Sequence, residues 1–495
     1  MQKSQRASIP KDTNNFLVSL MVSFSYKNKH TDKAMTIESH TPAMWSSQRA
    51  FLLATIGGAI GLGNLWRFPY IAGENGGGSF VLVYLGFVFL LGLPVIAGEL
   101  LLGRHGRGSA VHSIASLIKS ESASSFWHVI GWLSLIVPYI ALSYYAVIAA
   151  WSLDYLGLAI SNAFDGFDAS QSEAAYSERM GRATNLVLLH GAFVATTVWV
   201  IAKGLNDGIE RMAKIMMPAL FGVILILVLY GLVSADFAAA AEFMFKPDFS
   251  KLTGASILMA LGQALFSLAV GVGLLITFAA YLPSNYSLPR SAAIICIGDT
   301  LAALLAGLAI FPIVFASQLD PASGPGLVFQ TLPIAFGNMP GGHLIGVVFF
   351  LLLFFAAYTT AIGMLEPSVA WLEEKWPGQR KRLAHFAGIG VWLLGLGSVF
   401  SFNILADFNP LGFLGIEGTI FDILDFAVAN VFLPINVLLI AVFVGWVLKQ
   451  STASKEFSEN TELWRKFWRF ANRYVAPIAI TIVMLDLLTG FSESL

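Results

Sequence analysis

Long apolar runs separated by short polar connectors dominate the chain. Runs of about 20 residues, enough for a helix to cross a bilayer, lie near 48–72, 78–102, 127–160, 186–203, 212–235, 256–282, 291–316, 342–372, 384–402, 418–448 and 470–490. Eleven membrane-spanning helices are predicted, several of them long enough to tilt. Two runs differ from the rest. The first carries Gly57, Gly58, Gly61 and Gly63 within seven positions, followed directly by Asn64 and Arg67. The sixth, ILMALGQALFSLAVGVGLLITFAAYL, has Gly271 and Gly273 shortly after Ser267. Glycine is a poor helix former, and open backbone at membrane depth is tolerated only where it lines a cavity or is buried in protein. Both segments are therefore expected to be broken helices beside a binding site for something small and charged.

Composition makes this an integral membrane protein. Of 495 residues, 56% are hydrophobic and 12% charged, and mean hydropathy is +0.73; soluble domains carry about 25% charged residues. The net charge of −1 excludes little, and no feature points to a nucleic-acid partner. A single cysteine, Cys296, rules out an intrachain disulfide and a cysteine metal cluster. Residues 1–43 are polar and basic, and the apolar patch Phe16–Phe24 is too short to span. A cytoplasmic tail, or a start placed too early with Met35 or Met44 as alternatives, is expected there.

Lys and Arg set the orientation. RHGRG (104–108), KGLNDGIERMAK (203–214), EEKWPGQRKR (373–382) and the basic run over 449–473 all fall on one side with the N-terminus, whereas 161–185 carries Asp165, Asp168, Glu173 and Glu178. The N-terminus is expected in the cytoplasm and, with an odd number of spans, the C-terminus outside a plasma (inner) membrane. The broken runs sit five spans apart and so run in opposite directions. This predicts inverted five-helix repeats, 44–235 and 236–448, followed by a cytoplasmic loop and last helix over 449–495.

A broken helix exposes amide N–H groups at one half and carbonyls at the other. The first suit a carboxylate, the second a cation. In the first span, carbonyls near Gly57, Ala59 and Ile60 would face the cation, and amides near Leu62 and Gly63 the anion; a packing face of small residues is the competing reading. Asp299 lies deep in the seventh span, where an unpaired carboxylate costs several kcal/mol; it suits a cation ligand with Asn64 and Ser267, or a hydrogen bond to another helix. Ala356, Thr359 and Thr360 share one helix face and could offer oxygens to Na⁺, although such hydroxyls often bond back to their own helix. Glu99 can accept N–H bonds from unwound backbone or snorkel to the interface. Arg67 and Asp425 lie toward the outer side, where a closing ion pair is possible.

These residues together resemble the neurotransmitter:sodium symporter family, in particular its bacterial eleven-helix amino-acid transporters. GLGNLWRFPY…ENGGGSF is similar to that family's first-helix motif, and GQALFSLAVGVG and FFAAYTTAIGMLEP to its sixth and eighth helices. The likeness extends over nearly all of 45–490. It implies two sodium sites: the Ala59 carbonyl, Asn64, Ser267 and Asp299 with the substrate carboxylate, and the carbonyls of Gly57, Ile60 and Ala356 with Thr359 and Thr360. It further implies that the Leu62 and Gly63 amides and Tyr145 hold the substrate carboxylate. Ala141, Phe266, Ala269, Val272, Thr360 and Met364 would then shape the side-chain pocket. Arg67 with Asp425, and Tyr145 over Phe266, would form an outer gate, and Trp45, Tyr281 and Glu374 match inner-gate positions.

Three departures from the family pattern sharpen the expectation. Chloride-dependent relatives carry Asn at the Asp299 position and Ser one turn on, where this chain has Ala303, so chloride independence is expected. Monoamine carriers carry Asp where this chain has Gly61, so the substrate should bring its own carboxylate. The inner-gate Arg is replaced by Pro42, which leaves Glu374 without its expected partner. With no charge aimed at the side-chain pocket, large apolar or aromatic amino acids are favoured. The all-α chain is thus read as a sodium-coupled amino-acid importer and not an enzyme. A carrier of another small amine or osmolyte and a non-transporting amino-acid sensor are the rivals.

Overall fold

A computed structural model describes residues 43–321, 324–414, 417–457 and 461–489. The expectations for 1–42, including the Phe16–Phe24 patch and Pro42, lie outside the described residues. Among those described, eight helices are long and apolar enough to cross a membrane, and a bent pair makes a ninth. The eight are Gly78–Gly106, Ser125–Ile160, Ala183–Ile201, Leu205–Val233, Leu288–Ala316, Gly342–Lys375, Arg380–Phe400 and Ile420–Val447. They are the second to fifth and the seventh to tenth expected spans. The sixth is built from two short helices, Gly254–Ser267 and Leu274–Ala280. The eleventh continues from Glu462–Phe470 through a π-turn into Ala476–Thr489. The fifth begins seven residues before its apolar run because a π-turn, Leu205–Glu210, carries Asp207 and Glu210 into the helix start.

The connectors hold helices that hydrophobic runs alone do not disclose. Ala169–Gly181 follows a capping box in which Asp168 and Gln171 exchange side-chain bonds with each other's backbone. This satisfies two of the orphan amides at a helix start. Ala110–Glu121, Phe237–Phe245 and Thr331–Asn338 are further short helices between spans.

The third and eighth spans form the centre: 72% of each one's most apolar stretch is buried, against 33% for the fifth. Large apolar side chains on the outer spans, among them Leu188, Trp199, Ile215 and Leu229, are exposed. Such a belt is stable against lipid rather than water.

Both expected breaks are present. The first span is helical over Gln48–Ala59, turns extended at Ile60 (φ −68°, ψ 101°), and resumes at Gly63 as Gly63–Glu74 with a bend of 55°. The sixth unwinds from Leu268 to Gly273, with Ala269, Gly271 and Gly273 all at positive φ. Only glycine fits at 273, since a Cβ there would lie 2.0 Å from the Ser134 carbonyl oxygen in addition to its φ of +74°. The alanine at 269 (φ +50°) is a strained position, of a kind that persists where the surroundings over-determine it.

Candidate functional site

The backbone exposed at the breaks is answered by buried side chains, most of them from neighbouring spans, as a low-dielectric interior requires. In the first break Tyr145 Oη accepts from the Leu62 amide (3.3 Å) and Asn64 Oδ1 from the Gly61 amide (3.3 Å), while Gln263 Nε2 donates to the Gly63 carbonyl (2.9 Å). In the sixth, Glu99 Oε1 accepts from the Gly271 amide (2.6 Å), so Glu99 braces backbone instead of snorkelling. Asn436 Nδ2 donates to the Gly271 carbonyl (2.7 Å).

Asn64, Ser267 and Asp299 come together at the crossing of the two breaks. Asn64 Nδ2 donates to Asp299 Oδ1 (2.9 Å) and to Ser267 Oγ (2.9 Å), and Ser267 Oγ donates to Asp299 Oδ2 (2.5 Å). Tyr84 Oη lies 3.2 Å from the same serine oxygen. Asp299 is fully buried, and no Lys, Arg or His pairs with it among the described residues. A buried carboxylate met only by neutral donors is under-compensated, so the residues fit a small hard cation bound by oxygens. Asn64 presents its amide nitrogen to the carboxylate in this arrangement; turning that amide over would present its oxygen.

At the second expected site, Thr360 Oγ1 donates to the Ile60 carbonyl (3.1 Å), tying the eighth span to the first break. Thr359 Oγ1 bonds within its own helix, to the Phe355 and Ala356 carbonyls (both 3.1 Å). Gly57 and Thr359 share a cavity of about 10 Å³, near the smallest volume that holds one water.

All the expected substrate positions, Leu62, Gly63, Ala141, Tyr145, Phe266, Ala269, Val272, Thr360 and Met364, line one cavity of about 70 Å³, together with Ala59 and Ser267. Among the described residues no charged side chain lines it. Gly61 also lines it, and Val137, Tyr144, Val428 and Leu433 complete its wall; these last four were missed by single-sequence reasoning because such residues on long helices carry no local mark.

The expected gates are placed differently from one another. Arg67 lies over the Phe266 ring, 4.6 Å from its centroid, and the two border a second cavity of about 170 Å³ on the far side. Among the described residues Arg67 makes no ion pair with Asp425 within 4.0 Å, and Tyr145 and Phe266 form no ring pair; Tyr145 instead holds the Leu62 amide. At the opposite end Trp45 Nε1 donates to the Phe278 carbonyl (2.8 Å) and its backbone N–H to the Tyr281 carbonyl (3.1 Å).

Glu374 does not join Trp45 and Tyr281 through a hydrogen bond. It accepts from the Ser109 amide and hydroxyl at the start of Ala110–Glu121, where free amides and the helix dipole favour a carboxylate. Its partner is therefore a helix start and not an arginine. Beside Tyr281 stands Glu366, fully buried, which accepts from the Tyr281 hydroxyl (3.2 Å) and from Arg380 (2.5 Å). Arg380 also reaches Glu373 (2.8 Å) and the Ile201 carbonyl (2.9 Å). A glutamate inside the apolar run FFAAYTTAIGMLEP was the available clue.

The sequence profile of the sodium:neurotransmitter symporter family matches residues 43–172 and 177–494. The chain belongs to that family. This symporter is 37% identical to an uncharacterized sodium-dependent transporter, YhdH, of Bacillus subtilis, over 90% of the chain and 98% of that protein. Its identity with the sodium-dependent serotonin transporter of Drosophila melanogaster is 25%, over 93% of the chain and 79% of that relative. Its fold matches the crystal structure of MhsT in complex with L-phenylalanine, with a TM-score of 0.81 and 38% identity over 90% of this chain and 99% of the other. The symporter is thus a multi-pass membrane transporter that uses sodium and a small-molecule substrate, and not an enzyme.

Proposed function

We propose that this symporter imports amino acids with apolar or aromatic side chains, driven by two sodium ions and without chloride. The observation that carries the reading is that Ser267 belongs both to the Asp299 network and to the wall of the uncharged cavity. A substrate carboxylate at the Leu62 and Gly63 amides would lie next to a cation held by Ala59, Asn64, Ser267 and Asp299. Each ligand then raises the other's affinity. The second ion is assigned to the carbonyls of Gly57, Ile60 and Ala356 with the hydroxyls of Thr359 and Thr360.

Crowding at Gly61 favours an amino acid over a simple amine. A Cβ there would lie 2.7 Å from Thr360 Oγ1 and 3.0 Å from the Tyr145 hydroxyl, so no side-chain acid serves the site and the carboxylate comes with the substrate. Asp299 supplies a fixed negative charge beside the first ion, which removes the need for chloride. The cavity is about half of the ~150 Å³ that takes up benzene. An aromatic side chain therefore requires Phe266 or Met364 to move, and the phenylalanine bound by MhsT supports that size of substrate.

The charge pattern orients the Trp45 end toward the cytoplasm in a plasma membrane, with the N-terminus inside and the C-terminus outside. Arg67 over Phe266, with Asp425 nearby, then closes the outer side; Trp45, Tyr281 and Glu366 close the inner, with Glu374 fixing the adjoining helix. Proteoliposomes with an imposed Na⁺ gradient test the proposal. Uptake of phenylalanine, tryptophan or leucine should persist when chloride is replaced by gluconate, and Asp299→Asn should abolish uptake or make it chloride-responsive. Unchanged chloride-independent uptake by Asp299→Asn, or better competition by decarboxylated amines than by amino acids, would contradict it.

A further inference from the structure

A cavity of about 420 Å³ lies far from the substrate pocket, between the connector Gln450–Glu456 and the helix Glu462–Phe470 that leads into the last span. Its wall includes Arg465, Lys466, Arg469 and Arg473 against the single carboxylate of Glu462. Over 449–473 the sequence has six Lys or Arg and three Glu. Lys466 pairs with Glu462 (2.7 Å) in a largely exposed contact, and Arg469 donates to the Leu448 carbonyl (2.8 Å). Among the described residues Arg465 and Arg473 have no carboxylate partner, and the buried Nε of Arg473 has no hydrogen-bond acceptor.

The apolar surroundings of this cationic groove suit a lipid surface. Trp468 fastens the helix to the protein, packing on Phe457 with ring centroids 4.7 Å apart and donating to the Pro94 carbonyl (3.0 Å). Leu463, Phe470, Tyr474 and Trp446 remain exposed, and the Arg473 guanidinium lies 3.9 Å from the centroid of the Trp446 ring. A helix with cations on one face and aromatic and aliphatic side chains on another lies in a membrane interface. Aromatic rings beside arginine at such a depth meet acyl chains and headgroup together.

We infer that this groove binds the headgroup of an anionic phospholipid, with its phosphate between Arg465 and Arg473 and its acyl chains along Trp446, Phe470 and Tyr474. The site would pin the junction of the tenth and eleventh spans to the membrane surface. It is independent of which amino acid the symporter carries.

Native mass spectrometry of the full chain in detergent, titrated with dioleoyl phosphatidylglycerol or dioleoyl phosphatidylcholine, reads the first-lipid affinity. Wild type should prefer phosphatidylglycerol, and binding should weaken about fivefold for each cation removed, in Arg465→Gln, Arg473→Gln and their combination. Lys466→Gln, on an exposed side chain that does not threaten folding, should weaken it similarly, and Lys246→Gln, in the exposed pair with Glu242 on another connector, should not. Equal affinity for the two lipids would overturn the inference. So would equal loss in Lys246→Gln, or inorganic phosphate alone displacing phosphatidylglycerol, since the groove would then serve a free anion.

Discussion

The two broken helices solve the same backbone problem in different ways. The first is interrupted only between Ala59 and Gly63. Of the groups that answer its open backbone, Tyr145, Thr360 and Asn64 also belong to the pocket or to the Asp299 network, while Gln263 alone stands outside both. The sixth is unwound over six residues, three of them left-handed, and is held by Glu99 and Asn436, which do not line the cavity. On the proposed reading a ligand exchanges places with the pocket-facing partners of the first break, whereas the partners of the sixth serve only as a frame. The comparison predicts that damage to the sixth lowers stability first, and damage to the first lowers binding first.

Gly273→Ala should have the largest effect. It forces a Cβ into the Ser134 carbonyl at a left-handed position, and a cost of about 4 kcal/mol or more is expected. Cys296 is buried and is the only cysteine, so its reactivity toward a thiol dye on heating reports unfolding; an unshifted midpoint would break the comparison. Glu99→Ala comes next. It strands the Gly271 amide, which costs about 1–3 kcal/mol, while Glu99→Gln keeps an acceptor and should recover most of that loss. Gln263→Leu, which removes the donor to the Gly63 carbonyl, should cost only about 1 kcal/mol. Its larger signature should be weaker amino-acid binding in equilibrium dialysis. A stability loss in Gln263→Leu exceeding that in Glu99→Ala would reverse the ranking.

Much of this was legible in the chain. Helix length in a bilayer is set by apolar run length, so the expected spans fall close to the observed helices, and the glycine clusters mark both breaks. Asp299 and Glu99 stood out because carboxylates at membrane depth are costly. Other features depend on which distant residue packs beside which, and that is not a local property. Ala269 adopts positive φ although alanine gives no cue for it. Glu374 finds the start of a helix more than 250 residues earlier, and Glu366 with Arg380 takes the place beside Tyr281. The connector helix Ala169–Gly181 depends on capping and not on hydrophobicity, and so left no mark in the apolar pattern.

The central claim is that one ion and the substrate share the crossing of the two breaks. Equilibrium binding of radiolabelled phenylalanine or leucine to the purified protein, in Na⁺ and in K⁺ at equal ionic strength, tests it most directly. Wild type should bind about 5- to 150-fold more tightly in Na⁺, and Asp299→Ala should lose that ratio while its thermal midpoint shows that it remains folded. Equal affinity in the two salts, or an undiminished sodium effect in folded Asp299→Ala, would contradict the account.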